Sequence, residues 1–317
     1  MQIPVKTSRS LLFILAYYII IFLFGLPANI LALYAFSCKI HTKASPTDVL
    51  LLNLTVSDLL FLLCLPLKMY EVASGMHWLL PQTLCLLSTF VFYTTIHNSS
   101  ILLTATSVDR YLCVGYAVWY RQHVRAMHGV LASVFIWILS SAHFIYLYLI
   151  ELMPDSSSPS SGVCYDNFTE AQLGVIQPIR LELCVVFFIL PLLVSSFCYV
   201  RFILILSRIS RLQPEKRRRA AGMAVGTLLV FVVCFMPYNI THILGYIQGG
   251  SVGWRTEALL LTATNAILDP IIFYFSSSTF QGSTRKVICL MWSNGCCKTK
   301  CTSPPVEAAT AGGGATA

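Results

Sequence analysis

Charge is scarce in this chain. Only 11% of its 317 residues are Asp, Glu, Lys or Arg, and just thirteen are acidic. Soluble domains carry roughly a quarter charged residues, so a soluble enzyme is excluded. Internal repeats are missing too, which removes the duplicated halves on which many transporters are built. About ten residues precede the first apolar run, too few for an external peptide-binding domain. The expectation is that a membrane bundle makes up the whole protein.

Apolar residues fill the space instead. They reach 56% and gather in seven runs near 11–37, 47–70, 84–108, 129–150, 175–206, 221–247 and 256–276. Each can cross a hydrocarbon core of roughly 30 Å as a helix. The first run is too long for a signal peptide and no small-residue cleavage site follows it, so it reads as a retained anchor. The predicted fold is therefore an all-α membrane protein: a seven-transmembrane helix bundle over 11–276, with 1–10 as an extracellular N-terminus. Residues 277–292 mix Phe280, Val287, Ile288, Leu290 and Trp292 with Arg285 and Lys286, the pattern of a short amphipathic helix on the membrane surface. Residues 293–317, rich in Ala, Gly and Thr, are expected to form a disordered cytoplasmic tail.

Sixteen of the 21 basic residues fall after spans 1, 3, 5 and 7. That face is cytoplasmic by the positive-inside rule, which puts the N-terminus outside. The net charge of +8 then points to inner-leaflet lipid and a cytoplasmic protein partner, and away from nucleic acid. Of twelve cysteines, only Cys85 and Cys164 fall on the oxidising side, which predicts a disulfide between them. Cys289, Cys296, Cys297 and Cys301 sit among basic residues past span 7, where palmitoylation and plain free thiols are the two alternatives. Asn167-Phe168-Thr169 is a glycosylation sequon in the outer loop.

Polar residues inside the spans carry the functional information, because each is expensive in lipid unless it meets water or a partner. Asn29, Asp58, Ser99, Asn265 and Asp269 lie toward the middle or inner half. Two carboxylates in low dielectric must share a proton, recruit a cation such as sodium at Asp58, or bond to Asn and Ser. The alternatives are a static polar network and a two-state switch core sensitive to sodium or protons. Pro191, Pro237 and Pro270 each remove a backbone donor and kink their span. Span 3 ends in Asp109-Arg110-Tyr111 at the membrane edge.

These elements, with Asn29, Leu54-Thr55-Val56-Ser57-Asp58, Cys85, Trp137, Cys234-Phe235-Met236-Pro237 and Asp269-Pro270, resemble the signature of rhodopsin-like (class A) G-protein-coupled receptors, in order and across 10–292. Position 235 is Phe where the family usually has Trp, and Phe273 stands where Tyr is usual, with Tyr274 next. Arg217 replaces an acid at the foot of span 6, so the expected resting partner of Arg110 is Asp109. The resemblance implies coupling through Asp109, Arg110 and Tyr111 to a heterotrimeric G protein, inhibitory by family habit, and binding of an arrestin.

Cys164-Tyr165-Asp166-Asn167, Pro178-Ile179-Arg180-Leu181-Glu182, Pro237-Tyr238-Asn239-Ile240-Thr241-His242 and Tyr274-Phe275-Ser276 are similar to the short-chain branch of the free fatty acid receptors. That resemblance implies a carboxylate ligand held by Arg180, Arg255 and His242, with Tyr238, Tyr93 and His143 at family pocket positions. Tyr93 is nearer to type two, while Gly75-Met76-His77-Trp78 and Ser141-Ala142-His143 are nearer to type three. Arg180 lies eleven residues before Pro191, about 16 Å toward the outside, and Arg255 fifteen before Pro270, about 22 Å outward. Tyr238 and His242 are spaced i, i+4 on one helix face, and a guanidinium is a planar donor fork for carboxylate. The structural alternatives are snorkelling of Arg255 beside Trp254, pairing of Arg180 with Asp166 or Glu182, and simple packing of Tyr93, Tyr238, His143 and His242. The expected function is a plasma-membrane receptor for acetate, propionate and butyrate. A receptor for hydroxycarboxylates or nucleotides is the runner-up, and an anion channel or transporter the alternative from another class.

Overall fold

A computed structural model of the protein describes residues 8–151, 164, 170–209, 213–250, 252–276 and 281–282. The predicted modifications at Asn167, Cys289, Cys296 and Cys297 lie outside the described residues, as do most of 277–292 and all of 293–317. The chain forms α1 (Ser8–Lys43), α2 (Pro46–Ala73), α3 (Gln82–Gly115), α4 (Ala117–His123), α5 (Ala126–Glu151), α6 (Glu170–Cys184), α7 (Leu190–Arg208), α8 (Pro214–Val230), α9 (Met236–Gln248), α10 (Arg255–Ala263) and α11 (Asn265–Ser276). Single π-helical turns, Val185–Ile189 and Phe231–Phe235, join α6 to α7 and α8 to α9. With α10 and α11 in line, these make a seven-helix transmembrane bundle.

Six of the seven spans are long and apolar enough to be recognised by hydropathy among the described residues. The exception is α3, whose 34 residues include a buried row of Ser88, Thr95, His97, Asn98, Ser99 and Ser100. It crosses at the centre of the bundle, where other helices rather than lipid surround it. Several of its hydroxyls donate back to carbonyls of their own helix, as in Thr95 to Val91 (2.8 Å) and Thr106 to Leu102 (2.9 Å). Buried polar groups satisfied in this way do not pay the full cost of desolvation.

Elsewhere the helices extend past the apolar runs, since backbone hydrogen bonding continues where lipid contact stops. Ser45 caps α2, its Oγ accepting from the Asp48 N–H at 3.2 Å, with Pro46 at the first helical position where its missing N–H costs nothing. The linker after α3 holds the two-turn helix α4. Gly129 of α5 passes so close to Pro46 that a Cβ there would stand 2.8 Å from its carbonyl oxygen. Trp137 donates to Asn53 Oδ1 at 3.3 Å, tying the same two helices farther along.

The prolines have identifiable consequences. Each deprives the carbonyl four residues earlier of its helical donor, and in two cases another helix supplies a replacement. Pro191 frees Phe187, whose oxygen accepts from Ser100 Oγ at 2.6 Å. Pro270 frees Ala266, whose oxygen accepts from Asn29 Nδ2 at 2.7 Å. The π turns before Pro191 and Pro237 widen the helix at the same points, with Leu190 N–H donating to Val185 and Met236 N–H to Phe231.

Candidate functional site

Two ends of the bundle can be told apart. One carries the predicted disulfide, Cys85–Cys164, packed against Trp78. The other carries Asp109-Arg110-Tyr111 and the basic segment 216–219.

At the disulfide end, α9 presents Tyr238, Thr241, His242 and Gly245 as buried residues on one face, the i, i+3, i+4, i+7 spacing of a core-facing helix. Arg180 of α6 is only 9% exposed, and Arg255 opens α10 from the third side. These elements enclose a small cleft, about 260 Å³ of empty space, lined by Arg180, His242 and Arg255 together with Gln177, Thr241 and Tyr246. Arg255 Nη2 donates to the Tyr238 hydroxyl at 3.5 Å, and its guanidinium lies 5.9 Å from the centre of that ring. The Tyr238 and His242 rings meet edge to face at 4.5 Å. His242 is buried and its Nδ1 has no hydrogen-bond partner among the described residues. The geometry can hold one small anion between two forked cations, with an imidazole beside it.

Tyr93 and His143 stand apart from the cleft lining. The Tyr93 ring stacks on Phe144 at 5.8 Å, and its carbonyl accepts from His97 Nδ1 at 2.8 Å. His143 Nε2 faces Glu182 Oε1 at 3.2 Å. The His97 ring lies 4.9 Å from Phe144 and 5.1 Å from Phe187. His97 was passed over in the sequence, although a histidine in mid-span is itself a signal. Gln177 was missed as well; one turn before Arg180, it shares its face. Asp166, the other expected counter-ion for Arg180, lies outside the described residues.

In mid-bundle, Asp58, Ser99 and Asn265 line a small cavity of about 10 Å³ with Thr95 and Thr262. Asp58 Oδ2 is buried and has no hydrogen-bond partner among the described residues. Asn265, with its amide oriented to donate, reaches the two Asp269 oxygens at 3.3 and 3.1 Å. Ser99 and Asn98 both donate to Ser57 Oγ.

The basic end departs from expectation. Asp109 does not pair with Arg110: it accepts from Thr47 Oγ1 and, at 2.6 Å, from the Tyr120 hydroxyl. Arg110 makes no ion pair among the described residues, and its Nε is buried without a hydrogen bond. The reason is α4, which was invisible as a helix in the sequence and which swings Tyr120 under Asp109. Burial, then the Asp109 carboxylate, push the Tyr120 hydroxyl well above its ordinary range, so it remains a donor. A cleft of about 410 Å³ opens beside Arg218, Arg219 and Ile272.

Residues 28–273 match the family model of the seven-transmembrane receptors of the rhodopsin family. The chain is 45% identical to free fatty acid receptor 3 of Homo sapiens over 285 residues, 88% of this chain and 82% of that protein. It is 44% identical to free fatty acid receptor 3 of Mus musculus, over 87% of this chain and 88% of its length. Against free fatty acid receptor 2 of Homo sapiens the figure is 46%, covering 84% and 82%. The chain belongs to the free fatty acid receptor family of rhodopsin-like receptors. It is therefore a multi-pass membrane receptor and not an enzyme, and membership implies that it binds a ligand and couples to a heterotrimeric G protein. Types two and three match it almost equally, so overall identity assigns neither.

Proposed function

We propose that this receptor sits in the plasma membrane with its N-terminus outside and is activated by short-chain carboxylates, acetate, propionate and butyrate. One arrangement supports this reading above all: Arg180, Arg255 and His242, from three helices, converge on one small cleft. Closure of α6, α9 and α10 on the anion is passed through the Pro237 kink to the basic end, where Arg110 and the cleft beside Arg218 and Arg219 receive an inhibitory G protein and later an arrestin. Inner-leaflet lipid meets the remaining basic residues.

The mid-bundle cavity fits a sodium ion or a shared proton as the resting-state ligand. Its lining offers carboxylate, hydroxyl and amide oxygens, the donors a hard cation takes, and one of them, Asp58 Oδ2, has no hydrogen-bond partner among the described residues. When bound, sodium would supply a positive charge between Asp58 and its neighbours; Asp58, Ser99 and Asn265 would hold it.

The deciding experiment is a graded series from formate to decanoate, tested for inhibition of cyclic AMP in cells expressing the chain. The best tiny ligands gain about 1.5 kcal/mol per heavy atom, so four-atom acetate is limited to roughly −6 kcal/mol, tens of micromolar. Potencies from high micromolar to millimolar, with the shortest acids active and the longest inactive, are expected. Silence across the series, or a nanomolar response to acetate, would overturn the reading.

A further inference from the structure

We propose that Gly245 sets the longest acid this receptor accepts, because its missing side chain is the space into which the ligand's alkyl tail extends. The proposal rests on the carboxylate-receptor reading above and adds chain-length selection to it. The cleft has two unlike walls. One is polar: Arg180, Arg255 and His242, whose buried Nδ1 has no hydrogen-bond partner among the described residues. Apart from Gln177, the rest of the lining is Thr241, Gly245, Tyr246, Gly250 and Val252. This second wall offers a carboxylate little. The Thr241 hydroxyl already donates to the Tyr238 carbonyl at 2.6 Å, Gly245 and Gly250 present backbone alone, and Val252 is aliphatic. With the carboxylate held at the first wall, the tail is left to the second.

Gly245 is buried in α9, one turn beyond His242 toward the disulfide end, a rise of about 4.5 Å. A propyl tail anchored beside His242 covers that rise. Past Gly245 the chain turns back on itself. Gly249 takes φ +65°, the left-handed conformation that ends a helix, and the Gly250 N–H donates to the Gly245 carbonyl at 3.1 Å. Backbone therefore closes this end of the cleft. A Cβ at position 245 would stand 3.0 Å from the Gly250 carbonyl oxygen, the only atom outside its own helix within 4 Å of it among the described residues. Its other sides are open. Alanine is the stronger helix former, so helix propensity gives no reason for glycine at this position. Space does: a methyl group here would press on the closing turn and take room from the cleft.

Concentration–response curves for acetate, propionate and butyrate test the idea, with cyclic AMP inhibition as the readout and full-length receptors at matched surface expression. Each methylene buried against the second wall is worth about fourfold in potency. Gly245→Ala should therefore lower the butyrate-to-acetate potency ratio by about four- to fifteenfold, while acetate itself shifts by no more than about twofold. Val252→Ala enlarges the same wall and should act in the opposite direction, raising pentanoate relative to butyrate by up to about fourfold. A glycine needed only to let the turn close would weaken all acids equally and leave both ratios at their wild-type values. That result would overturn the proposal. If Gly245→Ala does not reach the surface, the pentanoate-to-butyrate ratio of Val252→Ala decides, and no change in it would overturn the proposal as well. Failure of the proposed function is a separate outcome: silence of wild type toward every carboxylate sinks both readings, whereas a responding wild type with unaltered ratios in the variants sinks only this one.

Discussion

The two ends of the bundle treat arginine in opposite ways. At the disulfide end, Arg180 and Arg255 are brought from separate helices to one cleft, and their charges converge. At the basic end, Arg110 has an acid as its immediate neighbour in sequence, yet the two are kept apart, because Asp109 is held by Thr47 and Tyr120. Adjacent residues on a helix point about 100° apart, so sequence proximity gives no contact by itself. One end gathers cations around a shared cleft. The other diverts its own anion and leaves Arg110 without an ion pair among the described residues.

The largest test of this contrast is at Arg110. Arg110→Ala should abolish G-protein activation, measured by cyclic AMP or G-protein dissociation, while surface labelling shows normal delivery. Normal signalling by this variant would remove Arg110 from coupling and leave the two ends alike.

Next come the clamp arginines. A charge-assisted hydrogen bond is worth roughly 1.5–3 kcal/mol, so Arg180→Ala or Arg255→Ala should each weaken acetate potency by about ten- to a hundredfold or more. The lysine variants should recover little, since the planar fork is gone. Methyl acetate and acetamide should be inactive on the wild type. Retained acetate potency in both alanine variants would move the carboxylate elsewhere.

A smaller effect is expected from Tyr120→Phe. Losing the 2.6 Å bond to Asp109 frees that carboxylate to turn to Arg110, so maximal G-protein activation should fall by about two- to tenfold, the range of one hydrogen bond, with acetate potency nearly unchanged. An unaltered maximum would mean that Asp109 is held well enough by Thr47 alone.

Smallest is Tyr238→Phe. The hydroxyl sits at the 3.5 Å limit of a hydrogen bond to Arg255, while the ring keeps its cation contact, so acetate potency should shift only about twofold, against roughly fivefold or more for Tyr238→Ala. Equal effects of the two variants would assign the role to the hydroxyl.

The seven spans were legible because lipid leaves a plain signal: long apolar runs with few charges inside them. Even so, α3 shows the limit of that signal, since a helix surrounded by other helices need not look apolar. Arg180, Arg255 and His242 could be read as candidates from position and family pattern, and their convergence on one cleft required the fold. Contacts such as Glu182 with His143, 39 residues apart in sequence, leave no local trace. Helix α4 was hidden because Tyr116–Val124 carries no strong cap or apolar periodicity. A proline announces a kink, but the π turns beside Pro191 and Pro237 follow from how the neighbouring helices pack.

The carbonyls freed by proline also bear on how the protein is made. Spans enter the membrane in chain order, and α11 arrives last with its Ala266 oxygen lacking a helical donor. In lipid that oxygen has no water to turn to. Its donor, Asn29 Nδ2, belongs to the first span and has been in place since synthesis began. The Asn29–Ala266 bond therefore joins the oldest and youngest helices and closes the ring of spans. A chain that has made it has completed its bundle, and one that has not still leaves a polar backbone atom without a partner in lipid.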